Sequence, residues 1–114
     1  MTEEQENKLI NLLQERLEKV GFKKTQTRSL SIARYTRNRL NLYINEVPIT
    51  LIIFDTSRLE GTKYPQLEFM IETMIETVDD IDWIIDQINR NEGNFNSLQV
   101  SCEQRKVKKM LDTL

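Results

Sequence analysis

The stretch from Arg39 to Thr56, RLNLYINEVPITLIIFDT, most constrains what this chain can fold into. Leu40, Leu42 and Ile44 are apolar at every second position, with Asn41, Tyr43 and Asn45 between them. That period puts one face of a strand on a core and the other towards water. After Asn45-Glu46 the chain turns, and Ile49-Thr50-Leu51-Ile52-Ile53-Phe54 is apolar on both faces. Such a strand belongs in the middle of a sheet, covered on both sides.

The flanking segments supply the layers. Thr2 with Gln5 makes a capping box, and Glu3, Glu4 and Glu6 suit the positive end of a helix dipole. Leu9, Leu13, Leu17 and Val20 then form an apolar stripe, widened by Ile10 and Leu12, and Gly21 stops it. The spacing predicts an amphipathic helix over 3–20. Lys23 to Arg28 reads as a basic connector. Residues 29–36 read as a strand with Leu30 and Ile32 inward and Ser31, Ala33 and Tyr35 on the other face. Arg37-Asn38 is a short turn, asparagine tolerating positive φ, and joins this strand to the Leu40 strand as a hairpin.

Gln66 to Val78 fits two patterns. As a strand it puts Leu67, Phe69, Ile71 and Ile75 on one face and Glu68, Glu72 and Glu76 on the other. As a helix it continues a heptad seam, Leu67, Ile71, Met74, Val78, Ile81, Ile85 and Ile88, but leaves Phe69 off it. The strand uses Phe69 and gives the central strand a second partner, so it is favoured. A helix follows from Asp79, with Thr77 as cap and Ile81, Ile84, Ile85 and Ile88 buried, ending around Asn91 to Asn96. Phe95, Leu98 and Val100 are candidates for the core. Ser101 with Gln104 reads as a second capping box, opening a last helix whose face is Val107, Met110, Leu111 and Leu114.

The sum is a single α+β domain over 1–114: an N-terminal helix, a four-stranded antiparallel meander, and two C-terminal helices packed on one face. Ile52 and Phe54 point away from Leu51 and Ile53, so the C-terminal helices or a second subunit must cover them. A homodimer through the sheet is one solution. At 114 residues the chain can bury about two-thirds of its unfolded surface. The longest apolar run, Leu51 to Phe54, is far short of the ~20 residues that span a bilayer. The polar, acidic start MTEEQENK is unlike a secretory signal, and the lone Cys102 fits a reducing compartment, so the expected location is the cytoplasm.

Several chemistries are argued against. There is no histidine, which removes Ser-His and Cys-His nucleophilic pairs and the usual zinc ligand sets. Cys102, near an expected helix start, reads as a packing residue rather than a nucleophile. Gly21, Gly61 and Gly93 are isolated, so no phosphate-cradling loop exists. Asp79, Asp82 and Asp86 share a helix face, but acids favour a helix N-terminus without any metal. Asp55 ends the central strand without the acidic-x-lysine partner a metal-dependent nuclease needs. No cofactor and no catalytic residue is expected.

What remains is a polarised charge. Seven basic residues and no acidic one lie between Lys19 and Asn45; seven acidic and no basic one lie between Tyr64 and Asn89. The acidic set Glu68, Glu72, Glu76, Asp79, Asp82 and Asp86 suits a partner protein with a basic surface. The basic set Lys23, Lys24, Arg28, Arg34, Arg37, Arg39 and Tyr43 offers arginines for phosphates and a tyrosine for stacking on bases, which suits RNA or DNA. The basic face of one subunit could also meet the acidic face of another. The layout is similar in outline to secretion chaperones, toxin-neutralising proteins and phage-encoded inhibitors; no motif accompanies the likeness, so it carries no residue across. The reading is a non-enzymatic adaptor or inhibitor that binds another protein through a charged surface, with the nucleic-acid module as its alternative.

Overall fold

A computed structural model describes residues 1–26, 31–46, 48–56 and 70–114. Expectations placed on Arg28, Leu30, Leu67, Glu68 and Phe69 lie outside the described residues. The chain runs α1 (Glu3–Lys19), β1 (Lys23–Thr25), β2 (Ala33–Arg37), β3 (Leu40–Asn45), β4 (Thr50–Asp55), β5 (Met70–Met74), α2 (Val78–Arg90) and α3 (Phe95–Asp112). It is an α+β fold, an antiparallel sheet ordered β1-β2-β3-β4-β5 with the helices on one face.

Local chemistry starts and stops the elements. In α1 the Gln5 N–H donates to Thr2 Oγ1 at 3.2 Å, and the Thr2 N–H donates back to Gln5 Oε1 at 2.9 Å. Gly21 ends the helix at φ +96°; the Gly21 N–H donates to Glu18 O at 3.1 Å and the Phe22 N–H to Leu17 O at 3.0 Å. That hydrogen-bond pair satisfies two carbonyls the last turn would leave orphaned, and φ > 0 suits glycine. Asn38 takes the positive φ, 53°, in the β2–β3 turn. Leu13 and Leu17 are fully buried, each contributing about 1.5–3 kcal/mol by leaving water.

While β3 is the middle strand of the five, the strand expected at the centre, β4, is interior, between β3 and β5. Its Leu51 and Ile53 are wholly buried beside Ile44 and Leu42, their partners on β3. Residues 70–74 form a strand, with Ile71 opposite Ile53 and Glu72 opposite Ile52. The sheet has one strand more than the meander read from periodicity. Lys23 to Thr25, expected as a connector, pairs with β2 through its backbone. Three residues are too few to display a period.

Further expectations are corrected. On β2 the inward residues are Ala33 and Tyr35, at 2% and 0% exposure, while Ile32 is 38% exposed. The register decides this: Ala33 lies opposite Ile44 and Tyr35 opposite Leu42, so they share the buried face, and the Tyr35 hydroxyl reaches Gln14 Oε1 on α1 at 3.2 Å. A shift of one residue flips every side chain of a strand. The last helix opens at Phe95 rather than at Ser101. Asn94 is its cap, accepting from the Ser97 N–H at 3.1 Å, just after Gly93 at φ +80°. Phe95, Leu98 and Cys102 reach the core, but Val100 is 52% exposed. All three helices pack on the Leu51–Ile53 side. Among the described residues no helix covers Ile52 and Phe54, which are half-buried.

Candidate docking surface

The helical layer divides sharply in how it uses its apolar residues. On α2, Ile81, Ile84, Ile85 and Ile88 are buried together with Asp80. On α3 only the first half is committed to the core; Val107, Met110 and Leu111 are 55%, 67% and 63% exposed, and Leu114, just past the helix, is 98% exposed. The face expected to pack therefore points to solvent. At about 100° per residue, Val107 and Leu111 fall within an arc of roughly 40°, with Met110 at its edge towards β5, and Leu114 follows just past the helix end. Lys106 and Lys108 lie on opposite flanks of that arc. The clue was in the sequence: Arg105, Lys106, Lys108 and Lys109 surround Val107, a charge density a buried turn could not carry.

A network around Asp80 fixes how this half of α3 sits. The Asp80 carboxylate accepts from the backbone N–H groups of Glu76 and Thr77 at 2.8 and 3.1 Å, closing the capping box of α2. It also accepts from Arg105 Nη2 at 2.9 Å and Lys109 Nζ at 2.6 Å. Burial alone would push this carboxyl up; the bonds from Lys109, Arg105 and Glu76 outweigh it and bring the pKa down to about 2. The Arg105 guanidinium also lies 4.6 Å from the centre of the Trp83 ring. Two of the four cations are thus tied to α2, leaving Lys106 and Lys108 without an ion pair among the described residues.

Between α3 and β5 runs a groove of about 210 Å³, lined by Thr73, Met74, Glu76, Cys102, Arg105, Lys106, Lys109 and Met110. Met74 is 45% exposed there. Cys102 lies inside α3 rather than at a helix start, and burial pushes its thiol up to about 11. At neutral pH it is a packed thiol, not a thiolate.

The acidic set does not form one surface. Glu72 projects from the helix-free face of the sheet. Asp79, Asp82 and Asp86 lie on the outer side of α2, where Asp82 pairs with Arg16 of α1 and Asp86 with Arg90 at 2.9 Å. Glu76 follows β5, 3.9 Å from Lys109. The basic set is divided too. Arg34 faces the helix-free side, 5.4 Å from the Tyr43 ring centre and donating to Asn41 Oδ1 at 2.9 Å, with Phe54 edge-on to Tyr43 at 5.5 Å. Arg37 turns to the helical side, over the Phe22 ring at 4.5 Å, donating to Val20 O at 2.8 Å and Asn89 Oδ1 at 3.1 Å. It clasps α1, β2 and α2 together. Lys23 and Lys24 are exposed on β1, and Arg39 at the β2–β3 turn.

A cleft of about 350 Å³ at that turn is lined by Arg37, Arg39, Asp55, Asn91, Glu92 and Phe95, among others. Two guanidinium and two carboxylate groups share it, so it favours neither sign of ligand. Among the described residues no three or more acidic or thiol side chains gather to hold a metal. None of their helices is long and apolar enough to cross a membrane. No family model, curated protein or solved structure matches this chain.

Proposed function

We propose that this chain is a non-enzymatic protein-binding module, an adaptor or inhibitor, and that the distal half of α3 is its docking element. One observation carries the reading: Val107, Met110 and Leu111 stand more than half exposed on a helix whose opposite side is tied down, and Leu114 just past its end is exposed as well. Leaving them in water forgoes about 1.5–3 kcal/mol for each large side chain, a deficit a partner would recover. The acidic side chains of α2 contribute at most a rim, since Asp82 and Asp86 already hold cations of this chain. The nucleic-acid alternative is weakened by the division of its arginines between two faces and by Glu72 beside Ile52 on the face that holds Tyr43.

The test places a photo-crosslinking amino acid at Leu111, and separately at Glu15 on α1, in cells that make the protein. Crosslinks to one polypeptide from Leu111 and none from Glu15 are expected. Equal yields from both positions, or crosslinks to nucleic acid alone, would overturn the reading.

A further inference from the structure

The chemistry around the stripe narrows the partner, on the assumption that α3 is the docking element. We infer that α3 takes an acidic amphipathic helix of another protein, its apolar seam laid on Val107, Leu111 and Leu114 and its flanking carboxylates on Lys106 and Lys108.

Three observations support this occupant. The first is charge. From Arg105 to Leu114 there are four cations and one acid, Asp112, in a chain whose net charge is −2. The local excess is therefore opposite in sign to the rest of the molecule. The second is placement. Lys106 and Lys108, without an ion pair among the described residues, border the apolar arc on both sides, as charged residues flanking the seam do in paired helices. The third is length. Val107 to Asp112 is about one and a half turns, about 8 Å of helix, with Leu114 just beyond it, which seats apolar residues at i and i+3 or i+4 of a facing helix and leaves Leu114 for a third.

Other occupants fit less well. A second copy would bring its own cationic α3 against this one, and in a two-fold contact the same patch meets itself. An anionic bilayer would attract the lysines, but the stripe lacks the tryptophan or phenylalanine of interfacial helices, and the acidic remainder of the chain would be repelled. Glu103, one turn before Val107, limits the seat to the distal half of the helix.

The experiment measures fluorescence anisotropy of labelled helical peptides against the full chain. One peptide carries leucines at i, i+3, i+4 and i+7 flanked by glutamates. A second keeps the leucines and carries lysines, and a third keeps the glutamates and replaces the leucines with serine. The glutamate–leucine peptide is expected to bind with micromolar affinity, about tenfold or more tighter than either control, and to weaken as salt rises. Lys106→Glu/Lys108→Glu should reverse the preference towards the lysine peptide. Both positions are exposed, and an unchanged circular dichroism spectrum would show that the variant folds. Equal binding of the two leucine peptides would overturn the acidic assignment while leaving the docking element intact. So would an absence of peptide binding alongside crosslinking at Leu111. Retention on vesicles of phosphatidylcholine and phosphatidylserine with no peptide binding would assign the stripe to membranes. Dimerisation lost in Leu111→Lys would assign it to a second copy.

Discussion

Helices α2 and α3 both carry an apolar stripe, α2 among four acids and one cation and α3 among four cations and two acids, and end up in opposite situations. α2 has 13 residues and buries five of them; α3 has 18 and buries three. Both carry isoleucine, leucine, valine or methionine at helical spacing. The difference lies in what faces them. α2 has α1 on one side, through Arg16 and Asp82, and α3 on the other, through Asp80. α3 has β5 and α2 only along one side, and its distal apolar residues have no described element in front of them. An apolar stripe records that a helix has something to bury; whether the burial is internal depends on the number of neighbours the fold provides.

The comparison breaks most directly by truncating one residue in each helix. Ile84→Ala on α2 should destabilise the fold by about 2–5 kcal/mol, through lost transfer energy and the cavity left behind. Val107→Ala on α3, more than half exposed, should stay within about 0.5 kcal/mol. Urea unfolding of both variants measures it. A loss at Val107 as large as at Ile84 would mean that the distal half of α3 is covered by its own chain in solution, and the docking surface would go with it.

The next largest effect belongs to the link between the helices. Asp80 has a folded pKa of about 2 against an ordinary value of 3.8. The folded value is the lower one, so the unfolded chain takes up the proton first. The stabilisation is complete above about pH 4 and fades as pH falls through about 2, amounting to roughly 2 kcal/mol. Asp80→Asn removes the charge at all pH values. It should cost about that amount near neutrality and show a smaller loss than wild type between pH 4 and pH 2. Parallel acid dependence in the two proteins would mean that Asp80 does not hold α3. A smaller effect, about 1 kcal/mol, is expected from Asn94→Ala, which removes the cap of α3 without touching Asp80.

The parts of this molecule legible in the sequence are those fixed by local chemistry. The Thr2–Gln5 and Thr77–Asp80 caps, the glycine stop at Gly21, the positive φ at Asn38 and the isoleucine stripe of α2 each state their structure within a few residues. The class and the interior place of β4 followed from them. What was not legible depends on pairing between distant segments. The inward face of β2 is set by its register on β3, and Ala33 and Tyr35 are less apolar than Leu30 and Ile32, so hydrophobicity pointed to the wrong parity. β1 is a strand through its backbone pairing with β2, a partner further along the chain. The start of α3 was misplaced because Ser101–Gln104 imitates a cap, whereas Asn94 after Gly93 supplies the real one. The acidic residues share a stretch of sequence but not a face. Strand β5 and helix α2 send Glu72 and Asp82 to opposite sides of the sheet.

The smallest expected effect is the sharpest for function. Leu111→Ser replaces an exposed leucine, 63% accessible, that is not part of the described core. Stability should change by less than about 0.5 kcal/mol, because a surface site away from cavities, caps and networks has little to lose. Binding of the glutamate–leucine peptide should fall by about tenfold or more, because that leucine sits at the middle of the seat and truncating a central anchor removes its whole contact. Measuring both quantities on one variant separates a residue that holds the fold from one that holds a partner. A variant that loses stability and binding together would return Leu111 to the core of this chain. One that loses neither would leave the two helices differing only in exposure, without a use for the difference.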